Sequence, residues 1–520
     1  MMQRSKADSN AAVHGISWGK MPFDHNIIRY MHTNEVPAPV FQWQAFLYIK
    51  TNFVSVHTRH KYDIKKCAEM GINMKTTNTN KHNSCRQPFF MALALFLCCA
   101  IIVCITGQQN DGYASSQNNT QVNSVKAAAT AASGSAVSSG SAVSSKELRG
   151  VWVSFLSYSS KGYTKKSFTN YITKVFKKCK SNGYNTVFVH ARMFSDAMYP
   201  SKYFPWSVYA SGTAGKNPGF DPLKIMVDKA HGMGLSVHAW LNPYRISSST
   251  TNINTIPKNS YAYKWAKSSS KAKRRNVLKY NGGLYYNPAK PDVRNLINNG
   301  VKEIVKNYNV DGIHFDDYFY PNLGTAYKKN FDRPEYNYYV KARKKSGKKY
   351  YGIVNWRRQN VDLLIKKVYK TVKTTRKKAV FGVSPAGNLD NLYLNNSYYC
   401  DVKKWMSSTG YIDYICPQIY WTFTHTVCPY KATCKRWANL KRNKNVKLYI
   451  GLAGYRAGLS KAQAKAVYDI GWSKSNTILK REVLYGRSTK KVSGYVLFSY
   501  ADLNRKAAAK EIANLKKIFK

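Results

Sequence analysis

The stretch Val310-Asp311-Gly312-Ile313-His314-Phe315-Asp316-Asp317-Tyr318-Phe319-Tyr320-Pro321 constrains this chain more than any other. It reads as a short apolar strand over 312–315 that ends in two adjacent carboxylates and an aromatic loop. Acid is scarce here, with 25 Asp+Glu against 82 Lys+Arg. Two neighbouring acids at the end of a buried strand therefore point to chemistry rather than to solvation.

From residue 147 onward, strand and helix patterns alternate. Val/Ile/Phe/Tyr-rich runs predict strands at 150–155, 186–191, 236–241, 312–315, 380–384, 414–419, 447–452 and 494–499. Helical patterns lie between them at 166–182, 222–233, 292–308, 361–374, 401–408, 430–439 and 461–478, with a last helix at 505–519. Near-continuous apolar strands separated by helices imply a parallel sheet covered on both faces. Eight such units predict an α/β fold, a (β/α)8 TIM barrel over 147–520, with an open doubly wound sheet as the alternative. No GxGxxG follows a strand, which speaks against a dinucleotide fold.

The first 146 residues read differently. Residues 89–105 are an unbroken apolar run preceded by Lys75, Lys81 and Arg86. That pattern suits a signal peptide or an uncleaved N-terminal membrane anchor over 74–114, with a cleavage point after Ala114. Residues 115–146 form a flexible Ser/Ala/Gly-rich linker. Residues 1–73 hold five of the eleven histidines and lack periodicity. They are read as a misannotated extension, with translation starting at Met74, or as a cytoplasmic tail. The net charge of +57 attracts polyanions, and no nucleic-acid-binding motif accompanies it. The expected partners are a polysaccharide and anionic envelope polymers, with the membrane reached through 89–105 if that segment is retained; no specific nucleic acid is expected. Ten cysteines form no CxxC zinc pattern, and Cys428 and Cys434 are either a local disulfide or buried thiols.

Active residues of a barrel gather at the C-terminal ends of its strands. Those ends carry Ser154 and Ser157; His190, Arg192 and Asp196; His238, Asn242 and Arg245; His314, Asp316 and Asp317; Ser384, Asn388 and Asp390; Gln418, Tyr420 and Trp421; Tyr455 and Arg456; and Tyr500 and Asp502. Aromatic faces beside amide and acid groups suit sugar rings, which present apolar C–H faces and hydroxyl edges. His190, His238 and His314 show no HxH or HExxH spacing, so neither a metal nor another cofactor is expected.

Six motifs in order carry a family resemblance. They are Arg149-Gly150-Val151-Trp152-Val153, Pro205-Trp206-Ser207, His238-Ala239-Trp240-Leu241-Asn242-Pro243-Tyr244-Arg245, the 311–321 stretch, Ser384-Pro385-Ala386-Gly387-Asn388 and Pro417-Gln418-Ile419-Tyr420-Trp421. Together they resemble the glycosyl-hydrolase-like 10 family. The resemblance implies a TIM barrel, an envelope location and glycosidase activity, in some members on peptidoglycan glycan strands stripped of peptides. At His190-Ala191-Arg192 the chain departs from the Gln-Val-Arg expected there. The 311–316 segment also resembles the fourth-strand motif of α-amylase-type enzymes, which would make Asp316 the nucleophile. It is similar as well to the chitinase strand-four motif, with Asp311 and Asp316 at the acidic positions, but Tyr318 stands where the chitinase acid would be.

A glycosidase needs an acid for the leaving oxygen and a second group at the anomeric carbon. Asp316 is the primary carboxylate, nucleophile or acid, and Asp317 is next, as acid/base or orienter. Asp196 and Asp390 are reserves for the second carboxylate. A substrate N-acetyl group could instead attack, oriented by Gln418 and Tyr420. Substrate binding is assigned to Arg192, Asp196, His238, Asn242, Arg245, His314, Asn388, Gln418, Tyr420 and Trp421. The rival readings are a non-catalytic carbohydrate-binding barrel and a polyanion-binding adhesin.

Overall fold

The structure, a computed structural model, describes residues 147–520 apart from Tyr318 and residues 394–396. The signal or anchor, the linker and the 1–73 extension lie outside the described residues. Among the described residues no helix is long and apolar enough to cross a membrane.

The apolar runs form β1 (Leu148–Val153), β2 (Thr186–Arg192), β3 (Ser236–Leu241), β7 (Gly312–Phe315), β8 (Val380–Val383), β9 (Tyr414–Ile415), β10 (Lys447–Ala453) and β11 (Gly494–Phe498). All neighbouring pairs are parallel, and β1 pairs with both β2 and β11. The eight strands thus close into a barrel, and the open sheet is excluded. Helices α1 (Lys165–Ser181), α2 (Pro222–His231), α3 (Pro291–Asn307), α4 (Arg333–Lys345), α5 (Ile353–Thr375), α6 (Val402–Ser407), α7 (Tyr430–Ala438), α8 (Ile478–Ser488) and α9 (Ala509–Phe519) accompany it.

Alternation along each strand separates two cores. Outward residues such as Val151, Val187, Val237, Ile313 and Phe381 pack under the helices. Inward residues Trp152, Phe188, Trp240, Tyr414, Cys416 and Val496 fill the barrel itself. These side chains are large for a barrel interior, and glycines make room for them. A Cβ on Gly312 would lie 2.7 Å from His238 Nδ1, and one on Gly382 would overlap the Tyr414 ring.

The N-terminal end of the barrel is stapled by residues that precede strands. Asn185 Oδ1 accepts the N–H of Arg149, Asp311 Oδ2 that of Val237, and Asp413 Oδ2 that of Phe381. Asp311 also meets His231 Nε2 at 2.9 Å. It therefore sits at the opposite end of β7 from Asp316.

Two features differ from expectation. Residues 242–290 build a small antiparallel sheet, β4 (Arg245–Ser247), β5 (Val277–Tyr280) and β6 (Gly283–Tyr286), in the order β4-β6-β5. The helix expected at 461–478 is instead a short helix, Lys461–Ala466, and a turn, with α8 beginning only at Ile478. There Asp469 is drawn to Thr422, whose N–H and hydroxyl it accepts at 2.8 and 2.6 Å, and Gly471 packs against Thr422 and Thr424 with no space for a Cβ. Of the two readings for Cys428 and Cys434, the structure has the buried free thiols.

The segment that follows β7 is tied down by a buried ion pair. Arg357 of α5 grips Asp332 with Nε at 2.9 Å and Nη2 at 2.5 Å, and neither side chain is exposed. Tyr320 donates to the other Asp332 oxygen at 2.9 Å, and Arg357 Nη1 donates to Tyr399 and to the carbonyl of Lys328. Removing one partner strands a buried charge. Asp332→Ala is expected to destabilise the fold by about 3–5 kcal/mol, read as a lowered midpoint in urea unfolding. A loss under about 1 kcal/mol would show that the pair does not anchor this segment.

Candidate active site

The floor of the barrel mouth is a hydrogen-bond chain. Trp152 Nε1 donates to His314 Nε2 at 3.1 Å. Indole can only donate, so Nε2 is the accepting nitrogen and Nδ1 carries the proton of the neutral ring. Nδ1 then donates to Tyr414 Oη at 2.9 Å, and the Tyr414 hydroxyl in turn donates to His238 Nδ1 at 3.0 Å. Burial, with His238 and His190 adding to it, pushes His314 far below the ordinary histidine range. Burial also lowers His238 to about 4, against a small opposing pull from Asp311. Both nitrogens of His314 are thus engaged inside the barrel, and His238 lies below the mouth.

One layer higher, His190 stacks on Trp240 with ring centroids 3.7 Å apart and planes 11° apart. Phe155 meets the same imidazole edge-on at 5.3 Å. Burial and the Arg245 cation hold His190 neutral. Asn242 donates to the Met193 carbonyl at 3.0 Å. Trp240 Nε1 is buried with no hydrogen-bond partner among the described residues, and Asn242 Oδ1 has only the His190 imidazole beside it. Buried polar atoms are rarely left so, and a hydroxyl-rich ligand in the mouth would satisfy them.

Asp316 follows β7 directly, and its Oδ1 accepts the N–H of Asp317 at 2.5 Å. Both acids are largely buried, at 7% and 8% exposure. They act on Tyr420: burial raises its hydroxyl pKa far above the ordinary value, and Tyr455, Cys416, Asp316 and Asp317 add to the shift. Asp317 also raises the Cys400 thiol, a lesser effect than that of burial, so its charge is felt on the helix-layer side as well. Tyr420 packs against Tyr455 at 5.6 Å and Phe498 at 6.4 Å. Gln418 Nε2 donates to the Ser384 carbonyl at 3.1 Å, and the Gln418 backbone bridges Ala386 and Gly451. Trp421 lies against Gly387 and His425.

Other expected residues lie elsewhere. The Arg192 guanidinium is fully buried over the Phe204 ring at 3.7 Å and beside Gly300 of α3, on the outer side of the barrel wall. Strand β2 bulges between His190 and Arg192, and the two side chains part there. Asp196 accepts the Phe194 N–H at 3.0 Å, and burial raises its carboxyl pKa. Asn388 Oδ1 takes the N–H of Asp390 at 2.9 Å at the start of the short helix Leu389–Tyr393. Asp390 pairs with Arg436 at 2.6 and 2.8 Å, and that pairing lowers its pKa.

The structure therefore brings together Asp316, Asp317, Tyr420 and Gln418 on one side and His190, Asn242 and Arg245 on the other. Trp240, Trp152, Phe155 and Phe498 belong to the same space and were not singled out from sequence. Their signal was alternation, since Trp152 lies two residues after inward Gly150 and Trp240 two after inward His238. Among the described residues, no three His, Cys, Asp or Glu side chains are grouped to hold a metal ion.

The neutral histidines make a pH prediction. His238 titrates near 4 in the fold and near 6.5 when unfolded. The unfolded chain binds more protons across that window, so its contribution is complete above pH ~6.5 and is lost as pH falls toward ~4. Thermal melts of wild type and His238→Gln should converge on acidification through this range. A wild-type-minus-variant difference that stays constant from pH 7 to 4 would refute the depressed value.

Comparison with known proteins identifies a family. The family glycosyl hydrolase-like 10 matches residues 147–469. The chain is 34% identical over 390 residues to the glycosyl hydrolase YngK of Bacillus subtilis, covering 70% of each chain. It is 33% identical over 352 residues to the glycosyl hydrolase DigH of Escherichia coli K12, covering 64% of this chain and 76% of that one. Among solved structures it is similar to the PgaB (BpsB) glycoside hydrolase domain of Bordetella bronchiseptica, with a TM-score of 0.42 and 14% identity over 70% of this chain and 98% of that one. With a family match across most of the barrel and relatives at this identity, the chain belongs to the glycosyl hydrolase-like 10 family.

Proposed function

We propose that this protein hydrolyses glycosidic bonds in a cell-envelope polysaccharide, with peptide-free peptidoglycan glycan strands as its substrate. The observation that carries the reading is Asp316. It is a largely buried carboxylate at the C-terminal end of a barrel strand, close enough to Tyr420 to raise that hydroxyl's pKa, above a floor of aromatic rings. Sugar faces would lie on Tyr420 and the Trp240–His190 stack, and sugar hydroxyls would meet Asn242 Oδ1 and Trp240 Nε1. Asp316 acts at the scissile bond as nucleophile or acid. Asp317, or an N-acetyl group of the sugar oriented by Gln418 and Tyr420, supplies the second function.

The envelope location rests on the 89–105 apolar segment and on the charge of +57, which would hold the protein on an anionic wall by salt-sensitive attraction. The names of YngK and DigH support the reaction class.

The test incubates the full chain, wild type and Asp316→Asn, with peptide-free glycan strands and reads products by mass spectrometry. Wild type should release shorter saccharides carrying one added water. The variant should be slower by about 10²–10⁴-fold, the range of positioned acid–base groups. Undiminished cleavage by Asp316→Asn would remove this residue from the chemistry. Binding without cleavage by both proteins would favour a non-catalytic carbohydrate-binding barrel.

A further inference from the structure

Helix α4 and the return that follows it stand outside the barrel chemistry. They belong to the connection between β7 and α5, the same connection that begins with Asp316 and Asp317. All thirteen residues of α4 are exposed or half-buried. Positions 341–349 hold six cations, Lys341, Arg343, Lys344, Lys345, Lys348 and Lys349, and no acid. Among the described residues none of the six is in an ion pair. The acids at the start of α4 are already engaged, Asp332 with Arg357 and Glu335 with Arg275 at 2.7 Å. Five tyrosines, at 336, 338, 339, 350 and 351, interleave with these charges.

This surface is held in shape. Tyr336 donates to the Tyr351 carbonyl at 3.0 Å, and Tyr339 Oη accepts the Tyr351 N–H at 3.0 Å. Arg343 Nε donates to the Lys349 carbonyl at 2.8 Å. The Tyr336 and Tyr339 rings pack on buried Trp356 of α5, at 5.3 and 6.0 Å. Between helix and return runs a groove of about 670 Å³ lined by Tyr336, Val340, Lys341, Lys344, Lys345 and Tyr350. Lys344 Nζ lies over the Tyr350 ring at 5.7 Å. The α4 C-terminus contributes partial negative charge, but six full cations outweigh a half charge.

We propose that this groove docks a linear polymer of sugars or polyols joined by phosphodiesters. Five of the six cations are lysines, point charges that suit phosphate, and the single arginine is already engaged with a backbone carbonyl. Tyrosine faces suit the C–H surfaces of the units between phosphates. Such a polymer would hold the protein on an anionic wall. The choice of an envelope polymer rests on the envelope reading above, whereas binding itself is measured without any hydrolysis.

The test measures full-chain protein against fluorescent poly(glycerol phosphate) by anisotropy across a salt series. In one variant Lys341, Lys344, Lys345, Lys348 and Lys349 are all changed to Gln. In a control Lys161, Lys165, Lys166, Lys174 and Lys177, exposed on and beside α1, are changed to Gln, for the same loss of charge. The α4 variant should bind at least about tenfold more weakly and flatten the slope of log K against log salt by about three to four, with the control near wild type. Its cleavage of peptide-free glycan strands should be unchanged. Equal weakening of both variants would assign binding to the overall field and overturn the proposal. Tighter binding of single-stranded DNA or of phosphatidylglycerol vesicles than of the polyol phosphate would overturn it too. Failure of wild type to cut glycan would count against the glycosidase reading alone.

Discussion

The mouth of this barrel depends on how its interior is filled. An eight-stranded barrel has just enough room for side chains, so whatever points inward must interlock. Here the fill is polar and aromatic, with Trp152, His314, Tyr414 and His238 in one chain of hydrogen bonds. The indole can only donate, and that fixes the direction of every later bond and the tautomer of each ring. In a low-dielectric interior a chain of this kind holds only when every member is satisfied and uncharged. It leaves a rigid floor, on which the His190–Trp240 stack forms the next layer.

Above the floor, the connection after β7 carries Asp316 and Asp317. It leaves the strand with two acids, and three contacts hold its path. Tyr320 reaches the buried Asp332–Arg357 pair, the Tyr280 hydroxyl receives the Gly324 N–H and donates to the Asn322 carbonyl, and Arg275 holds Glu335 and the Phe331 carbonyl. Tyr280 and Arg275 belong to the 242–290 excursion that builds the small sheet. Two connections with no regular barrel role thus brace one another around the acids. A site needs such support to keep carboxylates in place within fractions of an ångström. The same rigidity presents the Lys/Tyr surface of α4 to solvent as a fixed shape.

Much of the fold was legible in the residues. Each barrel strand is a short apolar run, and its period and the helical patterns between runs sufficed to place all eight. The 242–290 sheet was not legible, because its strands are three or four residues long and mix polar with aromatic positions. The break near Asp469 was hidden for another reason. Residues 461–478 carry a helical pattern, and only a loop distant in sequence, at Thr422, competes for the Asp469 carboxylate. The packing of Tyr336 and Tyr339 on Trp356, which orders α4, is likewise a contact between elements.

The site divides in the same way. Sequence by itself determined that Asp316 and Asp317 follow one strand, that Gln418 and Tyr420 come after another, and that cations dominate the chain. Those facts follow from period and composition, which each residue carries locally. Tertiary structure alone decided which polar side chains are left open to the barrel mouth. Arg192, two positions after His190, turns to Phe204 because β2 bulges between them. His314, two positions before Asp316, points inward as alternation requires, yet Trp152 and Tyr414 take both of its nitrogens. Strand alternation tells which side of a sheet a residue faces. It does not tell whether a partner from another strand already occupies its polar atoms, because that partner is brought there only by closure of the barrel.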